Sequence, residues 1–168
     1  MKKILMASAL LALGLAPAQA QTPQPADWTT LTMTADLNKS ADLAWDRIGG
    51  NDWCGIAKFL DVKSCTITSG KGELGSLRTI DTGTATVVEI AVARTAHSYT
   101  YAQPFTPIFY HGTLAVEPVD RSHSRIVYTL IWNQTAVGDV AAQAGAREGR
   151  KTRFQAAVDK MAAAANGP

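Results

Sequence analysis

Tyr99, Tyr101, Tyr110 and Tyr128 are the only phenols in the chain, and their spacing governs what they can do. Tyr99 and Tyr101 stand two apart, so on an extended strand they share a face. Tyr110 falls in phase with Ile108, Leu114 and Val116, and Tyr128 with Ile126, Leu130 and Trp132. The apolar phase of a half-buried strand looks inward, and it carries these phenols with it. A hydroxyl buried without a partner costs roughly 2–7 kcal/mol, so each needs a backbone acceptor, ordered water or a bound molecule. Two charges also stand inside strand-like stretches, Arg78 and Glu89. Parity alone turns Glu89 outward, because Val88, Ile90 and Val92 form the more apolar set, although Val87, Ala91 and Ala93 are compatible with a cavity wall.

Nucleophilic and metal chemistry find little support. His97, His111 and His123 show no metal-ligand spacing, and neither His97 nor His111 has an evident carboxylate or nucleophile partner. No Ser-His-Asp order or phosphate-cradling glycine loop stands out, and no cofactor is implied.

The start of the chain sets its compartment. Lys2 and Lys3 precede an uncharged apolar run, Ile4 to Ala16, and Ala18-Gln19-Ala20 then offers the small residues that a signal peptidase reads. Residues 1–20 are therefore expected to be a secretory signal peptide, with cleavage near Ala20 into a periplasmic or extracellular space. Residues 21–27 read as a leader arm and 28–168 as one domain. The apolar run is short for a membrane span, and no stop-transfer pattern follows. The whole chain has 16 basic and 14 acidic residues; without Lys2 and Lys3 the balance is 14 against 14. Zero net charge argues against nucleic acid as a partner. The pattern carries no signal for an oligomeric state. In an oxidising compartment Cys54 and Cys65, the only cysteines, are expected to pair as a disulfide; two buried free thiols are the alternative, and no second pair exists to make a metal site.

The elements that must position these residues follow from periodicity. Trp28 to Leu37 alternates as a strand, Ala41 to Ile48 is a short helix, and Asp52 is placed to cap a second one reaching about Phe59. Strands are then expected over Val62–Ser69, Gly75–Ile80, Ala85–Ala93, His97–Ala102, Ile108–Val116 and Arg125–Asn133, separated by turn-forming residues. Asp139 to Ala165 is the one long helix. Phe154, Val158, Met161 and Ala165 make its apolar stripe, which should meet Tyr128 and Trp132. Traced backwards, the stripe turns polar at Lys151, Glu148 and Arg147, residues that either cap a cavity mouth or overhang into solvent. Gly145 and Gly149 weaken that half by about 1 kcal/mol each relative to alanine.

This α+β order of strand, two short helices, six strands and long helix is similar to the helix-grip fold of the SRPBCC, or START-like, superfamily, which includes Bet v 1 and polyketide cyclase-like proteins. Local stretches carry the resemblance further. Ala41-Asp42-Leu43-Ala44-Trp45-Asp46 resembles the first-helix signature, and Gly75-Ser76-Leu77-Arg78 the third-strand Gly-x-x-Arg pattern. Val88-Glu89 matches the fourth-strand glutamate, Ser98-Tyr99-Thr100-Tyr101 the aromatic fifth strand, and Phe154 to Met161 the final helix. Cys54 and Cys65 resemble the two positions used in an exported branch. Two places depart from the pattern: Phe59-Leu60-Asp61 replaces a Trp-Pro pair, and Pro104-Phe105-Thr106-Pro107 has its second proline displaced.

The resemblance implies a seven-stranded antiparallel sheet curled around the last helix, with a cavity between them. In plant abscisic-acid receptors of this superfamily the matching arginine and glutamate lie in the cavity and help hold a carboxylate-bearing apolar ligand. Carried over, Arg78 is a cavity cation and Glu89 its counter-charge, with Tyr101, Tyr110, Tyr128, Phe154 and Val158 as further ligand-binding residues. The expected partner is a small hydrophobic, aromatic or lipid-like molecule. The alternative is a cyclase or dehydratase in which Glu89, Arg78 and Tyr110 serve as acid-base residue and oxyanion donors.

Overall fold

A computed structural model describes residues 27–167. The expected signal peptide and all of the leader except Asp27 lie outside the described residues. Thr-rich alternation builds β1 (Trp28–Leu37), burying Leu31, Met33 and Leu37. Ser40 caps α1 (Ala41–Arg47), its hydroxyl accepting from the Leu43 N–H at 3.4 Å, and α1 buries Ala41, Ala44 and Trp45. Gly50 then passes beneath the Trp45 indole, where a Cβ would come within 2.3 Å of the ring.

Asp52 does not cap the next helix. Its carboxylate accepts from the Cys54 N–H two residues on, at 2.9 Å, and so closes a turn ahead of a 3-10 helix (Gly55–Phe59) that has no side-chain cap.

The remaining strands are β2 (Ser64–Ser69), β3 (Leu77–Asp81), β4 (Thr86–Thr95), β5 (Ser98–Ala102), β6 (His111–Pro118) and β7 (Ser124–Asn133), followed by α2 (Val140–Asn166). They form one seven-stranded sheet in the order β1-β7-β6-β5-β4-β3-β2, every neighbouring pair antiparallel. A long crossing joins the two edges, β1 and β2, and it carries α1 and the 3-10 helix. Five strands start later than periodicity suggests: β2 at Ser64, β3 at Leu77, β4 at Thr86, β5 at Ser98 and β6 at His111. At β6 the left-handed Phe109 (φ 45°) stands between the expected start, Ile108, and the ladder, which it breaks. In β4 the register slips between Ala91 and Ala93, so Val92 bulges out unpaired and exposed.

The long helix α2 is unbroken through Gly145 and Gly149. Asp139 caps its start by accepting from the Ala142 N–H at 2.9 Å, and Arg47 donates to the carbonyls of Ala165 and Gly167 at its end. Phe154, Ala157, Val158, Met161 and Ala165 are buried against the sheet, with Phe154 edge-on to Tyr128 at 5.2 Å between ring centroids. The chain is thus an α+β helix-grip with two short helices after its first strand. No helix among the described residues is long and apolar enough to cross a membrane.

Cys54 and Cys65 form a disulfide across 11 residues, tying the 3-10 segment to β2. Closing a loop of that length removes unfolded-state entropy worth about 3 kcal/mol. The double variant Cys54→Ala/Cys65→Ala is expected to lose about that much stability in urea unfolding, and the reduced wild type should match it.

Candidate functional site

Between the sheet and the first half of α2 lies a cavity of about 350 Å³. β3 and β4 supply Arg78, Ile80, Val87 and Glu89 to its wall, and β5 supplies Tyr101. Leu60 and Val62 close one side, while Gln103, Ile108 and Tyr110 close another from the β5–β6 connection. Thr82 of the β3–β4 turn stands at the edge, and α2 covers the top with Ala146, Gly149, Arg150, Arg153 and Phe154.

Arg78 and Glu89 face each other directly in the β3–β4 register, and both are almost fully buried, at 1% and 3% exposure. One carboxylate oxygen of Glu89 accepts from Arg78 Nε at 2.8 Å and Nη2 at 2.7 Å. The other accepts from Gln103 Nε2 at 3.0 Å, and Arg78 Nη1 donates to the Trp53 carbonyl. The guanidinium carbon also lies 4.9, 5.1 and 5.6 Å from the ring centroids of Trp53, Tyr101 and Tyr99, close enough for cation-π attraction. Burial works against the charge. Glu89 and the surrounding phenols outweigh it, and Arg78 is held above the ordinary guanidinium range.

The phenols divide into two kinds. Tyr101 and Tyr128 share one 2.9 Å hydrogen bond, one hydroxyl donating and the other accepting. The hydroxyls of Tyr99 and Tyr110 are buried and have no hydrogen-bond partner among the described residues. Of the two, only Tyr110 borders the cavity. Its ring stacks on Trp132 at 6.4 Å and lies 6.2 Å from that of Tyr101. Tyr101 in turn crosses Gly112, its partner in the β5–β6 register, where a Cβ would stand 2.2 Å from the phenol ring. Glycine is therefore the only residue that admits Tyr101 in this position.

From α2, half-buried Arg150 lays its guanidinium over Trp132 at 4.6 Å and Tyr110 at 5.7 Å, and donates to the Ala146 carbonyl at 3.2 Å. Partial burial lowers its pKa. Arg153 stands at the rim and donates to the Leu60 carbonyl at 3.1 Å. Neither makes an ion pair among the described residues.

The family model for polyketide cyclase / dehydrase and lipid transport proteins matches residues 29–166. The chain belongs to this family. Among solved structures it is similar to the Zhui aromatase/cyclase from Streptomyces, with TM-score 0.65 and 16% identity over 83% of this chain and 94% of that one. It is also similar to norcoclaurine synthase from Thalictrum flavum, with TM-score 0.61 and 14% identity over 83% and 94%, and to the protein XoxI from Bacillus cereus, with TM-score 0.63 and 16% identity over 82% and 94%. At these identities the likeness is one of fold. No curated protein matches.

Within this family member, five of the seven expected site residues line the cavity: Arg78, Glu89, Tyr101, Tyr110 and Phe154. Tyr128 and Val158 lie in the core behind it. Glu89 points inward, against its strand parity. Of the three helix residues expected either to cap the mouth or to overhang into solvent, Arg147 donates to Thr29 and the Thr30 carbonyl on β1, while Glu148 and Lys151 are exposed, as the overhang alternative has it. The α2 residues at the cavity are Arg150 and Arg153, which stripe tracing passed over; a step of four back from Phe154 finds the first. Gln103 was likewise missed. His97 does have a carboxylate partner, Asp42 at 2.6 Å, on the surface and away from the cavity.

All four tyrosines are buried, and burial raises the pKa of each above the ordinary phenol value of 10.0. Below that value both folded and unfolded chains hold these protons. As pH rises above it the unfolded chain ionises first, so stability contributed by the neutral phenols falls. Absorbance titration is expected to show no tyrosinate in the native protein up to the alkaline unfolding transition, and then all four phenols appearing together with loss of structure.

Proposed function

We propose that this is an exported binding protein whose cavity takes up one small, mostly apolar molecule. The observation that carries this reading is the pairing of a partly open cavity with the Tyr110 hydroxyl, which is buried at its wall and has no hydrogen-bond partner among the described residues. A ligand oxygen there would satisfy the phenol, while Ile80, Val87, Ile108 and Phe154 would cover the apolar remainder. The volume suits the small end of the range taken by drug-sized molecules. The turns at Thr82-Gly83 and Gln103 to Pro107 flank the opening and are placed to act as lids. Lipid transport in the family's description supports the same reading. Export is supported by the charged and apolar start of the chain and by the Cys54–Cys65 disulfide, which belongs in an oxidising compartment.

The cyclase or dehydratase reading is less favoured. It needs Glu89 as acid or base, yet both carboxylate oxygens of Glu89 already accept hydrogen bonds from Arg78 and Gln103. Glu89 is better suited to hold Arg78 than to move protons.

Native mass spectrometry of protein recovered from the periplasm of its source is expected to show a bound small molecule that organic solvent extracts. Tyr110→Phe should weaken rebinding of that molecule about two- to tenfold, the range for one hydrogen bond. An adduct-free protein whose unfolding temperature no apolar compound shifts would contradict the proposal.

A further inference from the structure

The charges at the cavity wall do not cancel. Arg78 is neutralised by Glu89, while Arg150 and Arg153 remain, and no other acidic residue lines the cavity among the described residues. Their spacing on α2 sets the two guanidinium groups on one side of the helix. Arg150 is half-buried, and the contacts it does make are to aromatic faces and to a carbonyl of its own helix. An arginine drawn partly out of water ordinarily finds a carboxylate or phosphate, whose oxygens its planar fork fits. Among the described residues none is supplied to Arg150. The groups that cover Arg150 instead are Trp132 and Tyr110, the latter being the cavity's unpartnered phenol itself.

We infer that the ligand is an anionic amphiphile: its carboxylate or phosphate head sits at the opening between Arg150 and Arg153, and its apolar body enters toward Ile80, Val87 and Ile108. This assignment rests on the binding reading above and adds to it the sign and the position of the ligand's charge. Head first at the rim is the orientation that leaves the charge nearest water and the apolar body in the driest part of the site.

Titration calorimetry of the mature, disulfide-intact protein with decanoate, decyl phosphate and decanol tests it, because the three share one chain and differ in the head. At least one of the anions is expected to bind about tenfold or more tighter than decanol. Arg150→Gln should reduce anion binding about tenfold and Arg153→Gln about threefold, both leaving decanol binding and the circular dichroism spectrum unchanged. Tighter binding of decanoate would assign a carboxylate head and tighter binding of decyl phosphate a phosphate head. Equal binding of all three probes, or equal weakening of all three in the arginine variants, would overturn the anion assignment and leave the apolar cavity standing. Failure of every probe to bind would overturn both.

Discussion

Removing an arginine from water costs several kcal/mol even after the protein relaxes around it, and the fold has to answer that cost at Arg78. It does so from three directions. Glu89 comes from the facing strand, the Trp53 carbonyl from the connection between α1 and the 3-10 helix, and the rings of Trp53, Tyr99 and Tyr101 close around the guanidinium. Gln103 then engages the second oxygen of Glu89 and so ties in the β5–β6 connection. One ion pair thereby fixes the relative positions of β3, β4, β5 and the crossing segment. It also makes one wall of the interior polar, and aliphatic side chains cannot simply collapse onto it.

The cavity is what remains when α2 lies over that wall. Its second half fills the grip with Phe154, Ala157, Val158, Met161 and Ala165. Its first half presents Ala146 and Gly149, and a Cβ added at Gly149 would touch nothing within 4 Å. Small residues at the roof and a charged pair at the wall leave space between them. The two arginines at the opening and the free phenol of Tyr110 then give that space its chemistry. The Cys54–Cys65 bond holds the neighbouring 3-10 segment to β2, so the side of the site carrying Leu60 and Val62 is covalently anchored.

Much of this was legible in the residues. Period-two alternation located every strand of the sheet, and the stripe from Phe154 to Ala165 identified the helix it grips. What failed did so for physical reasons. Parity turned Glu89 outward because it treats an inward face as apolar, and a cavity wall built on an ion pair is not. The same assumption misread α2: following apolar residues backwards led to Lys151, Glu148 and Arg147, where the inward face continues through Arg150. Apolar periodicity fades where a helix covers a void rather than a core. Phe109 is left-handed although an aromatic side chain does not announce that conformation, so the start of β6 falls three residues past Ile108. The His97–Asp42 contact joins residues far apart in the chain, which no local pattern reveals.

The central claim is that Arg78 and Glu89 act as one unit on which the wall depends, and a double-mutant cycle in urea unfolding measures that coupling directly. Arg78→Met and Glu89→Leu are each expected to cost about 3–5 kcal/mol, since each strands a buried charge, while the double variant should recover most of that loss. Single losses that simply add in the double variant would show two independent residues, and the account of the wall would be wrong.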